Sequence, residues 1–167
     1  MTDPKPKFKT TLNVAMLRKV KRHILKNPAR LRMDSWVKRG QPDEKIINTS
    51  CGYNEPSTYN IPSCGTVGCI AGWVTLLDAI AKKEEYQDNA ISERARAILN
   101  ENYRFNPFEL FYVDYWPEEF AAKYTDEDVT QEERAKIVGE VIDLYIKQYQ
   151  EREKEYFKIY GNLSEAC

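Results

Sequence analysis

Two cysteines and three glycines fall within the eleven residues SCGTVGCIAGW (63–73), directly ahead of the apolar run VTLLDAIA. Such a stretch fits three chemistries. A thiol at a helix N-terminus has its thiolate stabilised by the helix dipole. Backbone N–H groups in a glycine-rich lead-in can hold a phosphate or carboxylate. Cysteines joined by a histidine can hold zinc.

The partners needed for the first and third are missing. The one histidine, His23, lies far upstream among basic residues, where no pattern pairs it with a thiol. Cysteine is among the most readily buried side chains. No catalytic residue is therefore assigned, and the chain reads as a non-enzyme. Cys51, Cys64 and Cys69 are spaced C-x12-C-x4-C and lack the C-x2-C pair that presets tetrahedral zinc. Neither metal nor cofactor is expected. Anion binding fits better, although no Walker motif is present. Its expected contacts are Gly65, Thr66 and Gly68 as backbone or hydroxyl donors and Arg18 and Arg22 on phosphate. Tyr53 or Trp116 would stack a base. Helix packing alone also accounts for the glycines, since Gly68 and Gly72 would share a face of a helix starting at Thr66.

The elements that must position these residues read almost entirely as helices. Val14, Leu17, Val20 and Ile24 form an apolar stripe at helical spacing, with Arg18, Lys19, Lys21, Arg22 and Lys26 on the remaining surface. Asn27-Pro28 stops this helix and opens a short second one, after which Leu31, Met33 and Trp36 turn back to the core. Thr66–Lys82 is apolar on every side, the mark of a helix at the centre of a bundle. A third helix spans about Ala90–Asn100, capped by Asp88 or Asn89, with Ile91, Ala95, Ile98 and Leu99 inward. Asn106-Pro107 and Trp116-Pro117 each look like a helix start. Thr130 and Glu133 form a capping box before a last helix of about 30 residues, and Gly161 stops it. Val138, Val141, Ile142, Tyr145 and Tyr149 continue one face of it. Its far end, around Tyr156, Phe157 and Tyr160, calls for a partner surface such as a second copy of the chain. No segment alternates as a strand. The expected fold is all-α, one helical domain of five to six helices at 13–161. It carries a loop insertion at 38–63, a basic extension at 1–12 and a tail at 162–167.

Composition narrows the classes. The 167 residues, 42% of them hydrophobic, suffice for one domain with a real core. No apolar run is long enough to span a bilayer, and MTDPKPKFKTT lacks the apolar core of a secretory signal. A cytoplasmic protein with four thiols is expected. The net charge of −1 conceals a division: residues 1–40 hold twelve Lys/Arg against two Asp, a local +10, and the remainder carries −11.

CGTVGCIAGW, preceded by LRKVKRHILKNPARLRMDSW and followed by LFYVDYWPEEF and ERAKIVGEVIDLYI, resembles a family of small uncharacterised bacterial and phage proteins sharing C-G-T-x-x-C-x-A-G-W/H. The resemblance implies a helical architecture and a phage-linked setting, hence the host cytoplasm for a phage-encoded chain, and no mechanism. The leading expectation is a phage accessory binding protein that counters a host system by capturing a small anionic, nucleotide-derived ligand. The alternatives are a module that inhibits or adapts a host protein, and nucleic-acid binding by the basic N-terminal region, which the acidic remainder disfavours. A homo-oligomer through the C-terminal helix is the further expected partner. Within the motif, Cys69→Ser is expected to destabilise more than Cys69→Ala, because a buried hydroxyl lacks a partner inside an apolar helix.

Overall fold

Asn13 sets the start of the first helix, α1 (Val14–Lys26): its side-chain oxygen accepts the Met16 N–H at 3.1 Å. Its amide donates to Ile98 O at 3.1 Å, which ties this N-terminus to the third helix. Leu17, Val20 and Ile24 are buried, as the stripe requires, with Met16 beside them and Val14 at the margin. Asn27 ends the helix and Pro28–Arg30 make one 3-10 turn. Leu31 then enters the core completely. The computed structural model describes residues 9–33, 37–39, 66–84 and 89–161, so Trp36, Asp88 and most of the 38–63 insertion lie outside the described residues.

The central motif departs from expectation. Thr66–Gly68 is a short strand, β2, paired antiparallel with β1 (Val37–Arg39) in the register Val37↔Gly68, Lys38↔Val67, Arg39↔Thr66. On its other side Gly68 bridges to Leu31, and its carbonyl accepts the Arg32 N–H at 3.0 Å. Gly68 is thus buried between two passing backbones, which is what its missing side chain serves. It shares no helix face with Gly72. Helix α2 (Ile70–Lys82) begins four residues later than Thr66, with Cys69 as its cap. Of its residues only Asp78, Ile80, Ala81 and Lys82 escape burial, so α2 is the central helix. Trp73 closes the junction by donating its indole N–H to Arg30 O at 3.3 Å.

Helix α3 (Ile91–Ile98) packs on α2 through Ile91 and Ala95. It is shorter than expected, and its cap position is Ala90 in the left-handed region (φ 46°), with no side-chain cap bond. Asn89 does not cap it. The aromatic segment that follows forms turns and not the helix expected at Asn106-Pro107. There the Asn106 side chain accepts the Phe108 N–H at 3.2 Å, which closes an Asx turn in place of a helical cap. A 3-10 turn at Val113–Tyr115 follows, and Trp116-Pro117 opens α4 (Glu118–Thr125) as read.

The last helix, α5 (Gln131–Tyr160), runs 30 residues, about 45 Å at 1.5 Å per residue. Its capping box is present in both directions, Thr130 to Glu133 and back, and Gly161 (φ 72°) terminates it. Val138, Val141, Ile142, Tyr145 and Tyr149 are buried along one face, packed by α1 on one side and α4 on another. The fold is all-α, five α-helices with one two-stranded ribbon among the described residues. No helix among those residues is long and apolar enough to cross a membrane.

Candidate functional site

The mouth of α2 is closed by its own chain. The Cys69 sulfur accepts the Gly72 N–H at 3.4 Å, and Ile70, Ala71 and Gly72 are all buried. One of the donors on which an anion would depend is therefore already used. Cys69 acts as a cap, which reverses the substitution order expected from sequence. Serine caps better than cysteine and retains the acceptor, whereas alanine leaves the Gly72 N–H unsatisfied. Cys69→Ser is expected to stay within about 1 kcal/mol of wild type and Cys69→Ala to lose about 1–2 kcal/mol. Urea denaturation of the two variants checks the order.

The seven expected contacts do not converge. Gly65 and Tyr53 lie outside the described residues, as do Cys51 and Cys64. Thr66 and Gly68 have their backbones in the ribbon. Trp116 is buried, its indole N–H donates to Leu110 O at 2.9 Å, and Tyr124 stands edge-on to it at 5.5 Å. A ring held on these sides has no free face for a base, so stacking on Trp116 is set aside. Arg18 and Arg22 are exposed, about half a helical turn from the buried Val20 and Ile24. The side of α1 that meets α2 is instead marked by His23, whose ring lies 4.1 Å from Trp73. Burial first, then the charges of Arg30 and Lys26, hold the His23 pKa below its ordinary value, so the ring is neutral at pH 7. Its Nε2 is buried without a partner. Among the described residues, no three His, Cys, Asp or Glu side chains gather as metal ligands.

What the structure does present is a cationic helix beside a lysine-lined groove. No acidic residue occurs in α1. Among the described residues, of its Lys and Arg side chains only Lys21 finds a carboxylate, Asp143 on α5; Arg18, Lys19, Arg22 and Lys26 make no ion pair with a described residue. Helix α1 runs antiparallel to α5. Lys21 and Leu25 lie over Gly139, Lys21 pairs with Asp143, and Thr10 and Thr11 reach Glu153. That register places Arg18 beside the stretch of α5 holding Lys147. There Lys9, Thr10, Lys147, Gln150, Glu151 and Lys154 line an open groove of about 550 Å³. Arg18, Arg22 and Lys26 are exposed on the neighbouring side of α1, and none of the three lines the groove. Glu151 is the one carboxylate among the described residues that line it.

Two further polar clusters escaped the sequence reading, and both are internal. Arg96 of α3 is buried, with its guanidinium 2.7 Å from Glu101 and 3.4 Å from Glu109, and between the rings of Tyr103 and Phe111. Burial pushes the Glu101 pKa above the usual carboxylate value; Arg96 and the Tyr145 hydroxyl pull against that, and Glu109 adds to it. Tyr145 is pushed far up, by burial first and by Glu101 next. The second cluster is Glu153, fully buried on α5, which accepts from Thr10 Oγ1 at 2.6 Å, Thr11 N at 2.8 Å and the Thr11 hydroxyl. Residues 9–12 are therefore bound into the domain and do not belong to a separate extension. No protein family, curated protein or solved structure matches this chain.

Proposed function

We propose that the chain is a non-enzymatic binding protein for an extended phosphate-bearing polymer of the nucleic-acid type, held along the α1/α5 seam. The observation that carries this reading is the charge of α1: four cations without a carboxylate partner among the described residues, on a helix without an acid. Arg18, Arg22 and Lys26 recur every fourth residue, so they line one side of the helix over about 12 Å. Duplex nucleic acid offers about one negative charge per 1.7 Å of axis, so such a row meets several phosphates at once. A small nucleotide fits less well. Sites for small ligands surround them, whereas an exposed helix face is convex and the adjoining groove is open. The acidic body opposes the reading at the seam itself only through Asp143, which is paired with Lys21, the exposed Glu140 and the groove's Glu151. Many of its exposed carboxylates (Glu118, Glu119, Asp126, Glu127, Asp128) are on α4 and the turn after it, away from α1 in the chain and absent from the groove.

Titrating a labelled random-sequence duplex at several salt concentrations tests this directly. With four phosphates engaged, log K falls with log salt at a slope of about −3.6, roughly a 150-fold loss from 50 to 200 mM. Arg18→Gln/Arg22→Gln, both exposed and without an ion pair among the described residues, is expected to reduce that slope by about 1.8 and leave the melting temperature unchanged. No binding at the lowest salt, or an identical slope in the double variant, overturns the proposal. Stabilisation by mononucleotides alone, with no binding of the duplex, would favour a small ligand instead.

A further inference from the structure

His23 stands where three elements of the fold meet. Its ring lies 4.1 Å from that of Trp73, tilted by 46°, and the Trp73 indole N–H reaches Arg30 O at 3.3 Å. Leu31 follows, fully buried, and bridges to Gly68 of β2. One pair of rings thus sits beside the contacts that join α1, the Pro28–Arg30 turn and the start of α2. The His23 backbone is held as well, since its carbonyl accepts the Asn27 N–H at 3.1 Å and the Asn27 side-chain amide at 3.2 Å. Any adjustment therefore falls to the ring. Its Nε2 is buried with no partner among the described residues, although the residue as a whole is half-buried and water is close.

A neutral imidazole tolerates that placement. An imidazolium has N–H groups on both nitrogens, and the one on Nε2 would be a charged donor buried without an acceptor. Lys26 and Arg30, the charged groups that act on the ring, are both cations. On α2 the ionisable side chains are Cys69, which caps Gly72, and Asp78 and Lys82, which pair with each other. On α5, Asp143 is paired with Lys21, about half a turn of α1 away from His23, and Glu140 is exposed. The dipole at this end of α1 and the indole face both favour a cation, yet neither hydrates the buried nitrogen. We infer that His23 is a proton-operated release for this junction: on taking up a proton the ring leaves Trp73 for water, and the Pro28–Arg30 turn and its bridge to β2 loosen while α5 stays folded. Burial first, then Arg30 and Lys26, hold the His23 pKa below 6.5. An opened state with the ordinary value takes up protons that the closed state refuses. The closed state therefore loses ground as pH falls from about 6.5 through the folded value, by up to about tenfold per pH unit. The release involves no ligand and does not rest on the polymer reading.

His23 is the one histidine of the chain, so its ring resonances in a proton NMR titration are unambiguous. Amide exchange in the same descending pH series, corrected for intrinsic rates, reports the junction at Arg32, whose N–H is bonded to Gly68 O, and α5 at the buried Ile142. His23 is expected to titrate below 6.5. Across that titration the protection of Arg32 should fall by up to about tenfold per pH unit, with Ile142 unchanged. His23→Phe keeps a ring against Trp73 without a titrating nitrogen and should hold the Arg32 protection flat. His23→Gln, which does not titrate either, takes its place if circular dichroism shows the Phe variant unfolded. A His23 titration at or above 6.5 overturns the inference. So does an Arg32 protection that ignores pH, falls together with that of Ile142, or falls equally in the variant.

Discussion

Arg96→Ala is expected to cost about 3–5 kcal/mol, because it removes the cation from a carboxylate that has left water. The Glu101 side chain is only 2% exposed, and Arg96 is its ion-pair partner at 2.7 Å. Burial already raises the Glu101 pKa, and Arg96 is the strongest influence holding it down. The sign of the pH dependence follows. A carboxyl group whose pKa is raised by folding binds more protons folded than unfolded, so it loses stability as pH rises through the folded value. Without Arg96 that value climbs further and the loss at neutral pH deepens. On acidification, once Glu101 takes up its proton, the variant is expected to recover part of its deficit against wild type. Glu101→Gln in the same chain removes the stranded charge and should restore much of the stability at about pH 7. Guanidinium titrations of wild type, single and double variants at both pH values measure this. An equal loss at both, with no rescue by Glu101→Gln, would assign Arg96 to packing against Tyr103 and Phe111 alone.

Local signals made much of the fold legible. Thr130 and Glu133 are three apart and bond each other across one turn, so four residues suffice to place the start of α5. Gly161 and Trp116-Pro117 are equally local. The ribbon is not: Thr66–Gly68 is a strand because Val37–Arg39 and Leu31 flank it, and those partners are some thirty residues away in the chain. Period and composition across 66–82 favour a continuous helix, and only the flanking backbones overrule them. The α2 cap was hidden because cysteine is not among the usual caps. Asn106-Pro107 misled because asparagine closes a turn with the same side-chain oxygen that would cap a helix.

The site divides in the same way. The exposure of Arg18 and Arg22 follows from the α1 stripe, which fixes which side faces water. How α1 lies on α5 depends on the antiparallel register fixed by Lys21 against Gly139 and Asp143, a contact across more than a hundred residues. Glu153 did leave a trace in the sequence. It falls four residues after Tyr149 and four before Phe157, an acid in the middle of an apolar row. An acid at such a place needs donors, and those come from Thr10 and Thr11 at the other end of the chain.

Glu153→Ala is the second large expected effect, and it links stability to the seam. The carboxyl group holds three donors, and hydrogen bonds to a charged acceptor contribute about 1.5–3 kcal/mol each when removal leaves nothing in their place. Thr11 is exposed and Thr10 half-buried, so water compensates part of that loss, and alanine leaves a cavity on the packed face of α5. The expected sum is about 2–4 kcal/mol. Glu153→Gln should be milder, near 1 kcal/mol, since its carbonyl oxygen still serves Thr11 and its amide can donate to the Thr10 hydroxyl. The damage should be local before it is global. Residues 9–12 are fastened to α5 by this group, and Leu12 enters the core just behind it. Amide exchange at Thr11 is therefore expected to accelerate in Glu153→Ala well ahead of exchange in α2. Because Lys9 and Thr10 form one wall of the groove, releasing them should also lower the salt slope of duplex binding, by about 0.9 for one lysine lost. Unchanged exchange at Thr11 would show that Glu153 does not hold this segment. Faster exchange with an unchanged slope would keep the latch and remove Lys9 from the binding surface.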